Sequence, residues 1–172
     1  AMYSITAQCT DLAGNTANEY AKESFYIDNI DPQVVITGVF DKSANNGKIA
    51  PIISISDTNI DYNGITVMLT GARNGAVVAE GSESHPHNGY VFTFNDFKAI
   101  AENDDVYTLT VSVMDRSGRT NKFVTTYDST GKSEKLNNNS LEFSVNRFGS
   151  NYQIDSSTES INGKYINKER DV

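Results

Sequence analysis

The sequence predicts an all-β protein, an antiparallel sandwich of two sheets with about seven strands around one core. Three observations predict it. Along residues 107–113, Tyr107, Leu109, Val111 and Val113 alternate with Thr108, Thr110 and Ser112. Strand side chains alternate between faces, so this stretch has one dry and one wet side. The stretch also recurs: Tyr3-Ser4-Ile5-Thr6-Ala7-Gln8-Cys9-Thr10-Asp11-Leu12-Ala13-Gly14 repeats the pattern that ends at Asp115-Arg116-Ser117-Gly118, at a constant offset of 104 residues (Tyr3 to Tyr107, Gly14 to Gly118). Finally, short apolar runs rich in Val, Ile, Phe and Tyr are separated throughout by Asn, Asp, Ser and Gly, which is the spacing of strands and tight turns.

Taken in order, residues 2–29 hold the first copy of the repeated strand, with Tyr3, Ile5, Ala7 and Cys9 expected on its buried face. A turn at Gly14-Asn15-Thr16 leads to a closing strand through Phe25 and Ile27. Asn29-Ile30-Asp31-Pro32 reads as a short, stiff junction, because Pro cannot donate to a ladder and holds its predecessor extended. A complete unit follows. Strands are expected at 33–37, at 49–56 with Ile53 and Ile55 inward, at 64–70 with Ile65, Val67 and Leu69 on one face, at 76–79, and at 90–94. Residues 40–47 and 81–89 read as turn and loop. Residues 96–101 read as one helical turn or a short helix capped by Asn95 or Asp96.

The strand beginning at Tyr107 and a closing strand through Phe143 and Val145 finish the unit. Tyr-to-Phe spacing is 22 in the first copy and 36 in the second, which places a 14-residue insertion within 128–139, read as a polar surface loop. Residues 151–154 and 164–166 are strand-like and resemble the opening of a further unit. The division is therefore 1–31, the last strands of a preceding repeat; 32–148, one complete domain; and 149–172, the start of a following repeat or a linker. The sequence enters its repeat part-way, so it is expected to be a piece of a longer chain, with Ala1 a cloning remnant. The apolar face of residues 2–29 is expected to be covered by residues 151–172, by the central unit or by another molecule, a dimer through unpaired terminal strands included.

A net charge of −8 and a pI near 4.7 argue against nucleic acid and anionic membranes as partners, since both need basic patches. No apolar run reaches the ~20 residues of a spanning helix. A single cysteine, Cys9, excludes an intrachain disulfide and reads as a small core hydrophobe.

Candidate chemistry is sparse. His85 and His87, with Glu83 nearby, have transition-metal ligand types but sit in a polar loop that preorganises no further ligand. The Gly-x-x-x-x-Gly runs lack the following Lys-Ser/Thr of a phosphate loop, and no serine nucleophile elbow occurs. Paired carboxylates do glycosidase work, but here the acids lie on turns, and the chain reads as non-enzymatic. The inward positions are apolar, so no intramolecular Lys–Asn bond is expected.

Acidic residues do cluster at strand ends: Asp28 and Asp31 with Asn29, Asp57 and Asp61 with Asn59, and Asn103 with Asp104 and Asp105. Oxygen-rich loops of this kind are calcium ligands, though none has the twelve-residue EF-hand pattern. The candidate ion site is Asp28, Asp31, Asp104 and Asp105, between units, where calcium would stiffen a row of them. Solvated turn acids are the plainer reading, and no other cofactor is expected.

Two features carry a family resemblance. The strand runs into Asp11-Leu12-Ala13-Gly14-Asn15-Thr16 and again into Asp115-Arg116-Ser117-Gly118-Arg119-Thr120, and the closing strand meets an Asp-Pro junction in Ile27-Asp28-Asn29-Ile30-Asp31-Pro32. Together they resemble the tandem bacterial immunoglobulin-like repeats of large Gram-positive surface proteins. Tyr107, with Leu109 two residues on, resembles the tyrosine corner of such sandwiches. The resemblance covers most of residues 2–148. It implies an immunoglobulin-like sandwich on the cell surface or attached to the cell wall, acting as a spacer or adhesive module beside like repeats. A module that binds a host glycan or protein is the alternative, for which Tyr62, Tyr90, Phe123 and Tyr127 are the aromatics that would form a platform. The second copy departs from the first in carrying Arg119 where the first has Asn15, and in its insertion.

Overall fold

The computed structural model describes residues 2–149, apart from the side chains of Lys22 and Glu23. The strands are β1 (Met2–Ala7), β2 (Tyr20–Tyr26), β3 (Gln33–Thr37), β4 (Ser43–Asn45), β5 (Ile52–Ser56), β6 (Ile65–Gly71), β7 (Gly75–Val77), β8 (Gly81–Ser84), β9 (Gly89–Phe94), β10 (Asp105–Val113), β11 (Thr125–Tyr127), β12 (Ser133–Lys135) and β13 (Ser140–Val145). Short 3-10 turns lie at Tyr62–Gly64 and Ala101–Asn103. From β3 onward the strands build two sheets. One runs β4-β13-β10-β6-β7 and the other β12-β11-β3-β5-β9-β8. Pairing is antiparallel except for β4 on β13 and β3 on β11.

The predicted alternation is what closes the sandwich. Every second residue of β10 and β13 is buried. Leu109, Val111 and Leu141 of one sheet meet Val34, Ile36 and Ile53 of the other in a single apolar cluster. Fully burying a side chain of this kind contributes about 1.5–3 kcal/mol. At one end Tyr107 stacks on Phe143 with ring centroids 5.8 Å apart, and Phe97 meets both edge-on. The Tyr107 hydroxyl donates back to the Asn103 carbonyl at 3.0 Å, the bond that a tyrosine corner makes. Tyr107→Phe is therefore expected to cost about 1 kcal/mol, the net value of one such bond, measured by urea unfolding. An unchanged midpoint would mean that the bond does not hold the corner.

Several short elements differ from expectation. The 40–47 turn contains β4, the 81–89 loop begins with β8, and the insertion contains β12, which pairs with β11. All three are edge strands of polar or small residues. Their neighbours place them, not an apolar face of their own. The helical turn expected at 96–101 does not form. Asp96 instead accepts the Ile49 amide at 2.8 Å and Arg147 Nη2 at 2.9 Å, so long-range partners take the carboxylate that would have capped a helix. Residues 151–154 and 164–166 lie outside the described residues.

The sequence repeat is also a structural one. β1 and β2 pair Tyr3 with Phe25 as β10 and β13 pair Tyr107 with Phe143. The Tyr3 and Phe25 rings stack at 5.8 Å and 27°, against 5.8 Å and 26° in the second copy. The Thr10–Thr16 bridge matches Met114–Thr120. Burial does not repeat: Tyr3 is 47% exposed and Tyr107 1%. Ile5 and Phe25 are exposed, and so is Cys9, contrary to its expected core position. Among the described residues no further strand pairs with this hairpin, and the strand pattern is kept while its apolar face stays exposed. Of the three covers expected for this face, the central unit does not supply one, and residues 151–172 lie outside the described residues.

Candidate functional site

The junction between hairpin and sandwich gathers one cluster of acids, Asp28, Asp57 and Asp115. Three segments meet there: the stretch after β2, the loop after β5 and the turn after β10. The last is built by its own sequence. The Asp115 amide donates to the Arg119 carbonyl at 2.9 Å and the Gly118 amide to the Asp115 carbonyl at 3.1 Å. Gly118 sits at φ 82°, a backbone region that glycine enters without strain. Asp115 Oδ1 accepts the Ser117 amide and hydroxyl, both at 2.8 Å, and the Arg119 amide at 2.9 Å. The same turn closes at Asp11 and at Asp128.

The loop after β5 brings Asp57, whose Oδ1 accepts the Asn59 amide at 2.6 Å. The Asn59 side chain reaches across the junction and donates to Asp28 Oδ2 at 2.6 Å. The Asn59 carbonyl accepts the Arg116 amide at 2.9 Å, which ties this loop to the Asp115 turn. Asp28 Oδ1 accepts the Ile30 amide. One carboxylate oxygen from each of Asp28, Asp57 and Asp115 lies within 4.8 Å of the others. Asp57 and Asp115 are buried and Asp28 half-buried. None of the three makes an ion pair among the described residues. Burial, followed by the Asp28 and Asp115 charges, pushes the Asp57 carboxyl above its ordinary value. Its two hydrogen bonds, from Asn59 first and then from Ile30, hold Asp28 below.

The four residues predicted to hold an ion are not brought together. Asp28 is at the site. Asp31, beside it, is an ion-pair residue: Arg119 Nη2 and Lys122 Nζ each approach it to 2.7 Å, and Lys122 and then Arg119 lower its pKa against the effect of burial. Asp104 and Asp105 stand at the other end of β10, whose nine residues span about 30 Å at roughly 3.4 Å each. Asp104 accepts the amides of Arg147 and Phe148. Asp105 accepts those of Arg73, Asn74 and Val106. Both carboxylates thus anchor backbone. The acids that do join Asp28 were visible in sequence as a strand-end cluster and as the repeated turn, but as separate features.

The remaining candidates fare differently. His85 stacks on Tyr62 at 4.4 Å and lies tilted against Tyr90 at 5.5 Å, with Glu83 Oε1 4.0 Å from Nε2. It is therefore held in an aromatic edge. Of the four proposed platform aromatics, Tyr90 is buried and Phe123 lies under Lys135 Nζ at 3.3 Å, while Tyr62 and Tyr127 remain exposed. A cleft of about 380 Å³ opens beside Val77, Phe94, Phe97 and Tyr107. Its acids are Glu80 and Asp96, and Asp96 is engaged by Arg147. Among the described residues no helix is long and apolar enough to cross a membrane.

No protein-family model matches the chain, and no curated protein matches it. Among solved structures, the GspB Siglec domain aligns over 69% of this chain and 59% of its own length, at 17% sequence identity and a TM-score of 0.45. The likeness is shallow, and the chain spans about three-fifths of that structure.

Proposed function

We propose that this chain is a non-enzymatic spacer or adhesive module of a large bacterial surface protein, extracellular and attached to the cell or its wall, in a row of immunoglobulin-like units. The observation that carries this reading is the repetition across the junction. The β1–β2 hairpin has the pairing, ring stacking and Asp-x-x-Gly turn of β10 and β13, as two consecutive units of one design would. The junction supports it, because Arg119 and Lys122 of the sandwich clasp Asp31 and Asn59 clasps Asp28. On this reading they set the direction in which one unit follows the next. Partners on this reading are like units of the same chain.

A second reading, a module that binds a host glycan or protein, is favoured by the stacked Tyr62 and His85 on the β8–β9 edge, because aromatic faces are what sugar rings pack against. A glycan array separates the two. The spacer reading expects no binding, together with cooperative high-force unfolding of residues 32–148 when they are pulled in a polyprotein. Glycan binding that is lost in Tyr62→Ala would replace it with the second reading.

A further inference from the structure

Asp115 has one carboxylate oxygen too many for the bonds around it. The residue is 2% exposed. Oδ1 takes all three donors of its turn, and Oδ2 is buried with no hydrogen-bond partner among the described residues. An unpaired buried carboxylate oxygen is costly, and a native fold seldom keeps one without a use for it.

The first copy of the turn shows what is missing. There Asn15 Nδ2 donates to Asp11 Oδ2 at 2.9 Å, so both oxygens are satisfied. In the second copy that position is Arg119. Its guanidinium turns away to Asp31, with Nε at 2.8 Å and Nη2 at 2.7 Å. The substitution removes the cap from Asp115 and occupies the cation that would otherwise neutralise it. Asp115 also belongs to the group in which it, Asp28 and Asp57 each offer one carboxylate oxygen within 4.8 Å of the others.

We propose that Asp28, Asp57 and Asp115 bind one calcium ion, which locks the hairpin to the sandwich. Calcium–oxygen distances of about 2.3–2.6 Å allow two ligands on one ion to lie up to roughly 5 Å apart, which the spacing meets. The donors are all oxygen, with neither thiolate nor imidazole, which is the set that hard cations take. Calcium's loose coordination suits a site whose third ligand, the half-buried Asp28, leaves room for water. The three ligands come from three segments, so the ion would join the stretch after β2 to the ends of β5 and β10. Asn59 Nδ2, now on Asp28, is the contact that would rearrange.

The ion site does not depend on the spacer reading, because binding is measured on the chain whatever its role. The test uses the full chain, stripped of divalent ions with EGTA and titrated with calcium chloride by calorimetry and by thermal unfolding. The expected result is one ion per chain, with a Kd between about 100 μM and 1 mM, the range of extracellular modules, and a Tm several degrees higher at saturation. Magnesium at equal concentration should give less than half that rise.

Asp57→Asn and Asp115→Asn should each weaken binding at least tenfold, and Asp57→Asn should leave the ion-free protein as stable as before or more so, because it removes a charge that burial and the Asp28 and Asp115 carboxylates oppose. Asp28→Asn, on the less buried ligand, should do the same should either of those fail to fold. Asp11→Asn, in the self-capped turn, should bind as the unaltered chain does. No heat and no Tm change up to 10 mM calcium would overturn the proposal, as would unweakened binding in Asp28→Asn and Asp57→Asn. So would an equal response to magnesium in every variant, which marks diffuse charge screening. Each of these failures leaves the repeat geometry, and the spacer reading that rests on it, where they stand.

Discussion

Asp105→Asn should lower the unfolding free energy by about 3 kcal/mol at neutral pH, through loss of charge-assisted bonds worth roughly 1.5–3 kcal/mol each and the stranding of a buried donor. Asp105 is buried at the first residue of β10. Its Oδ1 accepts the Val106 amide at 2.8 Å and shares the Arg73 amide with Oδ2, which also takes the Asn74 amide at 3.0 Å. The carboxylate thereby closes the β6–β7 turn onto the start of the central strand of its sheet. Asn keeps the shape but turns one oxygen into a donor that faces backbone N–H groups. There is no slack for a shift, since a Cβ on Gly71 would already stand 2.5 Å from Asp105 Oδ2.

The pH dependence has a definite sign. Burial alone would raise the Asp105 pKa, but the three amides and the Arg73 charge outweigh it and hold the carboxyl below its ordinary value. A carboxyl depressed in the folded state contributes stability above its unfolded pKa of about 4, and that contribution is lost as pH falls through the folded value. The gap between the unaltered chain and Asp105→Asn should therefore be full at pH 7 and shrink below about pH 4. Urea unfolding at the two pH values measures it. A difference under about 1 kcal/mol at pH 7, where charged hydrogen bonds normally exceed that, would show that the carboxylate does not organise the turn.

The same residue illustrates what sequence can and cannot say here. Strands that bury one face declare themselves by period: β3, β6, β9, β10 and β13 lie where alternating apolar residues put them. Ser43-Ala44-Asn45 and Ser133-Glu134-Lys135 bury no such row, and the edges they join decide their structure. The acids show the same division. That Asp104, Asp105, Asp57 and Asp115 end strands is local and legible. Which of them share an end of the sandwich is set by strand length and sheet order. β10 carries Asp105 and Asp115 to opposite ends, and the loop after β5 arrives at the Asp115 end only because β5 and β10 lie in facing sheets. The Asn15-to-Arg119 change was visible as a departure between copies. Its meaning needed the position of Asp31.

Asn121→Ala should cost a comparable amount, about 3 kcal/mol, from two buried backbone groups left unpaired at roughly 1–3 kcal/mol each. β10 outruns its partner on one side, where pairing with β13 ends at Thr110 and Ser140. Beyond that point Asn121 stands in for a strand. Its amide donates to the Val113 carbonyl, its Oδ1 accepts the Val113 amide at 2.8 Å and its Nδ2 donates to the Val111 carbonyl at 3.0 Å. The first copy has the backbone bond alone, from Ala17 to Cys9, and can do without the side chain because that hairpin is open to water. Asn121→Asp sharpens the test. It keeps an acceptor for the Val113 amide but sets a carboxylate against the Val111 carbonyl, so it should destabilise at neutral pH at least as much as Ala does. Hydrogen exchange at the Val113 amide gives the local readout. Protection should fall in Asn121→Ala and persist in Tyr107→Phe, whose lost bond lies at the far end of the strand. Unchanged protection in Asn121→Ala, with stability within about 1 kcal/mol of the unaltered chain, would mean that water completes the end of β10 as well as the side chain does.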